Sequence, residues 1–207
     1  MTFRVSAIAL ALSAMAAPAM LAATPAAAQA ATDADAKAAA SFIDKLAGDA
    51  FDVIRDGDAS SSATQAKLRE MLAANFDVDY IGQYLIRSQK GSISREQYRD
   101  YMSVFPTWVV ATYTNNLFAF DDSTLDVIRA VPAGSRGDLK VYTRVKPKSG
   151  SPINAIWSVR KVGGKFLIRN LEVSGVNMAL TQEKDFRSYI ANNGFDKLVA
   201  LMKKRTA

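Results

Sequence analysis

The sequence predicts an α+β fold: an antiparallel, twisted, four-stranded sheet with helices packed on one face. Three observations predict it. Apolar residues recur three and four apart from Asp33 to Phe120, alternate strictly after Asp122, and return to helical spacing after Thr181. Gly163-Gly164 joins two alternating runs as a two-residue turn that needs positive φ, so its flanking strands are antiparallel neighbours. At 207 residues with 49% hydrophobic content, the chain is long enough to bury one sizeable core.

The first element is set apart from the fold. Met1 to Arg4 is a short cationic start, Val5 to Leu21 is almost wholly apolar, and Ala28-Gln29-Ala30 offers a small-x-small cleavage pattern. Residues 1–30 therefore read as a cleavable signal peptide, leaving 31–207 as a single domain. A membrane-spanning helix is the alternative, but the apolar run falls short of about 20 residues, contains Pro18 and lacks a stop-transfer cluster. Export together with the absence of cysteine means that packing, not disulfides, must hold the fold, as suits a bacterial periplasm.

Asp33 to Arg55 is helical, with Phe42, Ile43, Leu46, Ala47, Ala50 and Ile54 on one stripe and Gly57 as a stop. A Ser-rich bend at 60–62 precedes a second helix carrying Leu68, Met71 and Leu72. Phe76, Tyr80, Ile81, Tyr84 and Leu85 define a short third. Ser94 and Gln97 form a capping box for the longest helical signal, whose seam includes Tyr98, Tyr101, Met102, Phe105, Trp108, Val109, Tyr113, Leu117 and Phe120. Pro106 removes the hydrogen bond to the Met102 carbonyl, so a kink or break is expected there.

Four strands follow. Leu125, Val127 and Val131 share a face of the first; Leu139, Val141, Thr143 and Val145 alternate with cations and Tyr142 in the second; Ile153, Ala155, Trp157 and Val159 mark the third. The fourth runs from Phe166 to Val173, with Ile168 and Asn170 on the face opposite Leu171 and Val173. Gly175 allows a sharp turn, Val176 and Met178 follow it, and Thr181 is the expected cap of a helix bearing Phe186, Tyr189 and Ile190. Gly194 ends that helix, and Phe195, Leu198, Val199 and Met202 open the last.

The chain contains no histidine, which removes the commonest general base, the Ser-His and Cys-His nucleophiles and nearly every zinc site. Asp77 with Asp79 and Asp121 with Asp122 are the visible carboxylate pairs, and neither has a partner base. No metal site, cofactor or catalytic residue is assigned. The net charge of +6 is spread along strand faces and the final helical turn, where it suits anionic lipid head groups or an acidic partner; export and the lack of a recognition motif speak against nucleic acid.

The aromatic seam fits two arrangements that periodicity does not separate. It can form ordinary core, or Tyr80, Tyr84, Phe105, Trp108, Val109 and Tyr113 can face the sheet across a ligand cavity. In the second arrangement Phe76, Val141, Val145, Ile156, Ile168 and Asn170 complete the lining, with Val176 and Met178 at the rim. An enzyme on the same scaffold would need an inward-facing carboxylate or tyrosine, and an adaptor would have a closed core.

Two regions carry a family resemblance. Phe76 to Phe120, FDVDYIGQYLIRSQKGSISREQYRDYMSVFPTWVVATYTNNLFAF, and the strand, Gly-turn, helix, Gly, amphipathic-helix series of Ile168 to Leu201 resemble the MlaC or toluene-tolerance family of periplasmic phospholipid-binding proteins, which includes hopanoid-associated members. The chain departs from the family at Asn170, where Asp is favoured, at Asn177, where Ser is common, at Glu183-Lys184-Asp185-Phe186 in place of an Arg-Ser-Gln-Phe element, and at Leu85-Ile86 in place of Leu-Gly. A Trp usual near that short helix is also missing. These departures bear on the lipid and the partners more than on the fold.

The resemblance implies an NTF2-like or cystatin-like cone enclosing an apolar cavity. It further implies a monomeric shuttle that buries a phospholipid's acyl chains between an outer-membrane lipoprotein and porin complex and an inner-membrane ABC transporter with an MCE domain. A hopanoid-associated accessory role is the variant reading. At about 0.8 kcal/mol per CH₂, roughly 30 methylenes represent on the order of 24 kcal/mol of transfer free energy, so shielding two chains needs a deep pocket.

Overall fold

The computed structural model describes residues 30–58, 61–120 and 122–206, in which six helices surround one face of a meander sheet. The expected leader lies outside the described residues except for Ala30, as does Asp121. Helix α1 (Asp33–Asp56) opens with a capping box, the Thr32 hydroxyl accepting from the Asp35 N–H and the Asp35 carboxylate accepting from the Thr32 N–H, each at 3.1 Å. Helices α2 (Ser62–Asn75) and α3 (Val78–Leu85) follow, then α4 (Arg95–Leu117) behind the expected Ser94–Gln97 box. The α4 helix passes through Pro106 without a break. At Gly57 the α1 terminus needs glycine for space, because a Cβ there would lie 2.5 Å from Thr64 Oγ1 and 2.7 Å from the Val53 carbonyl oxygen.

The strands are β1 (Thr124–Ala133), β2 (Asp138–Lys146), β3 (Ile153–Val162), β4 (Lys165–Val173) and β5 (Val176–Asn177). They pair antiparallel in chain order, so the sheet has five strands where four were expected. The fifth is short. Ser174 and Gly175 both take positive φ, at 49° and 82°, and turn the chain back as a two-residue hairpin. The same device operates at Gly163-Gly164.

Two bulges correct the expected facing of side chains. Between Val127 and Arg129 the β1 register slips, so Ala130 pairs with Val141 on the inward face while Val131 pairs with Lys140 on the other. Between Ser158 and Val159 the β3–β4 register also slips, so Ile168 pairs with Val159 and points inward with Leu171 and Val173 instead of away from them. Strict alternation fails because a bulge inserts one residue and reverses the parity of everything beyond it.

Helix α5 (Met178–Asn193) starts three residues before its expected Thr181 cap. Asn177 caps it, its side-chain oxygen accepting from the Leu180 N–H at 2.9 Å. Gly194, at φ 88°, ends α5 with its N–H on the Ile190 carbonyl at 2.8 Å, and α6 (Phe195–Thr206) completes the chain.

The core divides in two. Ala36, Ala39 and Ile43 of α1 pack on Leu139, Val141, Val159 and Ile168 of the sheet, the small alanines letting the helix lie close. Tyr101, Phe105 and Trp108 of α4 pack with Phe186 of α5 and with Phe195, Leu198, Val199 and Met202 of α6. Ring centroids there lie 5.4 Å apart for Tyr101–Phe105 and for Trp108–Phe186, within the range that favours tilted aromatic pairs. Close packing fixes Gly82 of α3, where a Cβ would lie 2.7 Å from Phe105 Cδ1.

Candidate functional site

Between these two cores the sheet and helices leave apolar space. One cavity of about 150 Å³ lies under α1 and α2, against Leu125, Val145, Ile153 and Ala155 of the sheet. A larger one, about 360 Å³, lies among α3, α4 and the start of α5. Leu72, Phe76, Leu117, Phe120, Trp157, Leu171 and Val173 line both, so the two are lobes on a common wall.

The wall is apolar because its polar groups are turned outward or bonded. Trp157 donates its indole N–H to Thr143 Oγ1 at 2.9 Å, and Thr143 donates in turn to the Ala155 carbonyl at 3.4 Å, which leaves the indole ring for the lobes. The larger lobe receives its polar lining from Tyr113, Arg169, Asn170 and Gln182. Burial pushes the Tyr113 phenol above its ordinary value of 10.0, with the Asp185 charge adding to the rise. Among the described residues lining the two lobes there is no Asp or Glu, and Tyr113 is the inward-facing tyrosine that the enzyme reading also allows.

Arg169 is the best-anchored of the polar set. It donates from Nε to Asp77 Oδ2 at 2.7 Å and stacks its guanidinium 4.1 Å from the Tyr80 ring centroid. Both charges of the pair are largely buried, with side chains 16% and 13% exposed. Asp77 also caps α3 by accepting from the Tyr80 N–H, and its own N–H donates to the Ile168 carbonyl at 2.9 Å. The Phe76–Asp77 segment thereby occupies part of the β4 edge that β5 leaves open. Asn170 fixes the start of α5 by accepting from the Ala179 N–H at 3.1 Å.

Of the residues expected to line a cavity, Phe76, Val109, Tyr113, Asn170 and Met178 border the larger lobe, and Val145 with Phe76 borders the smaller. Tyr80 and Tyr84 face a separate, more polar pocket of about 260 Å³ with Lys140, Ser158 and Arg169. Phe105 and Trp108 instead belong to the helical core, and Val141 and Ile168 to the core beneath α1. The seam of α4 is wide enough to serve two neighbours, and its Phe105 and Trp108 stripe turns to α5 and α6. Ile156 points to the outer face, paired with Tyr142 and Glu172, because its parity opposes that of Trp157. Val176 is 51% exposed on the hairpin.

Sequence reasoning missed Leu72, Ile81, Trp157, Leu171 and Val173, and the α1 residues Leu46, Ala47 and Ala50. Their periodicity was visible, but the same pattern describes a helix or strand that faces core and one that faces a void. Among the described residues no helix is long and apolar enough to cross a membrane, and no group of three or more His, Cys, Asp or Glu could hold a metal ion.

The fold and the lobes define an α+β protein with an interior apolar chamber between an antiparallel meander sheet and its helices. The chain belongs to the MlaC protein family, which matches residues 44–204. Among solved structures, a phospholipid-binding protein from Ralstonia solanacearum, determined in complex with a phospholipid, is similar with a TM-score of 0.66 at 17% identity, over 81% of this chain and 96% of its own. At that identity the likeness speaks for the fold. No protein of curated function matches the chain.

Proposed function

We propose that the chain is a periplasmic phospholipid shuttle, exported by its first 30 residues and working as one domain over 31–207. The observation that carries this is the pair of apolar lobes on a shared wall of Phe76, Phe120, Trp157 and Leu171, which provides hydrocarbon lining where a lipid tail would otherwise meet water. The larger lobe lies within the usual size range of small-molecule sites, and the smaller extends it. Membership of the MlaC family and the phospholipid held by the similarly folded Ralstonia protein support the same reading. The sheet and helices form an NTF2-like cone around the chains. The lipid passes between an outer-membrane lipoprotein and porin complex and an inner-membrane ABC transporter with an MCE domain. The protein binds and releases without altering a bond in the lipid.

A transfer assay tests the shuttle. Fluorescent phosphatidylglycerol should move from donor to acceptor vesicles at a rate proportional to protein concentration, in the absence of vesicle fusion. A rate equal to that without protein would refute the reading.

A further inference from the structure

The third pocket adjoins the larger lobe through Arg169, Asn170 and Ala179, which line both. Its chemistry differs. Where the lobes are hydrocarbon, this pocket gathers the hydroxyl-bearing residues Tyr80, Tyr84 and Ser158 and the cations Lys140 and Arg169. We propose that it is an anion subsite that receives the phosphate of a lipid whose chains occupy the apolar lobes. The inference deepens the carrier reading and rests on it.

The charge balance favours an anion. Asp138 also lines the pocket, but it accepts from Arg160 Nη2 at 2.6 Å and from Arg160 Nε at 2.8 Å, so a neighbouring cation offsets it. Lys140 pairs across the strands with Val131 on one side and Ser158 on the other, and Ser158 pairs with Asn170, so no acid stands in that row. Arg169 gives only its Nε–H to Asp77, and a guanidinium carries four further N–H donors in a fixed plane. Stacking on Tyr80 holds that plane. A planar fork and a compact ammonium lining one polar pocket suit a tetrahedral oxyanion, the fork by geometry and the ammonium as a point charge. Lys140 and Ser158 stand on the face of the sheet away from the lobes. The pocket meets the larger lobe at the β4 bulge, where Arg169, Asn170 and Ala179 line both, and a lipid with its chains in the lobe would bring its phosphate to that junction.

The test compares two lipids with identical chains. Delipidated protein is offered vesicles containing dioleoyl phosphatidylglycerol or dioleoylglycerol, and loading is read by mass spectrometry, with circular dichroism to verify the fold of each variant. Wild-type protein should prefer the phosphatidylglycerol. Lys140→Gln should reduce that preference about tenfold, the size expected for one charge-assisted hydrogen bond. Arg169→Lys, which keeps the charge and loses the fork, should also lower it. Wild-type preference in both folded variants would overturn the subsite while leaving the carrier intact. Wild-type protein that loads neither lipid would instead overturn the carrier reading and the subsite with it. Inorganic phosphate supplies the remaining arm: saturating binding that leaves phosphatidylglycerol loading unchanged would assign the pocket to a free anion and overturn the headgroup assignment.

Discussion

Tyr101 shows how one residue serves both packing and polarity. It is fully buried among Phe105, Phe186 and Phe195, yet its hydroxyl donates to the Gly82 carbonyl at 3.1 Å and so ties α4 to α3. Burial pushes its phenol well above the ordinary value of 10.0. In the unfolded chain the phenol ionises near that ordinary value, while the folded protein keeps the proton, so the native state binds more protons above it and stability falls as pH rises further. Urea denaturation from pH 9 to 11.5 should therefore show a decline that is shallower in Tyr101→Phe. At neutral pH the same variant should lose about 1 kcal/mol for the missing hydrogen bond. Equal slopes for the two proteins would contradict the burial argument.

Adjacent residues on α4 make a sharper contrast. Val109 borders the larger lobe and Trp108 is 5% exposed in the helical core. Val109→Glu should fold and lose lipid loading, because its carboxylate enters the lobe. Trp108→Glu should fail to fold, because an uncompensated charge buried in a close-packed core costs several kcal/mol. Far-ultraviolet circular dichroism together with a lipid-loading assay separates the two outcomes. The sequence placed both residues on one apolar seam and offered both as cavity lining: a one-residue step rotates a side chain by about 100° around the helix, and only packed neighbours decide which direction meets a void.

At the scale of elements, helices and strands follow local chemistry closely. The Ser94–Gln97 box acts through its two side chains, and the double-glycine hairpin and the Gly194 stop through their own backbone, all within a few residues of chain. What local chemistry did not disclose are the bulges in β1 and β4 and the Ser174-Gly175 hairpin, which produces a fifth strand and moves the cap of α5 to Asn177. A bulge depends on cross-strand register, a long-range property. Asn and Thr are both capable caps, so only the observed bond to the Leu180 N–H decides between Asn177 and Thr181. Asn177→Ala should lower stability by about 1 kcal/mol in urea denaturation, whereas Thr181→Ala should change it by less than about 0.5 kcal/mol.

At the scale of the whole molecule, the chamber exists because two cores form side by side and do not merge. In the α1–sheet core Ala36 and Ala39 let the helix lie close to the sheet, with Phe76 and Trp157 packed at its margin, and the helical core is filled by its own aromatic rings, so neither fills the space between Phe76, Trp157 and Leu171. An empty apolar space forfeits the dispersion contacts of its walls, and a ligand of hydrocarbon restores them. Much of the fold was legible in periodicity. The site was less so, since the sequence signals which stripes are apolar and is silent on where two of them fail to touch.

Native mass spectrometry of protein purified from a bacterial periplasm, followed by lipid extraction, tests the central claim most directly. A phospholipid bound in stoichiometric amount, and lost in Val109→Glu, is the predicted result. Folded wild-type protein that carries no lipid from the periplasm and takes none up from vesicles would contradict it.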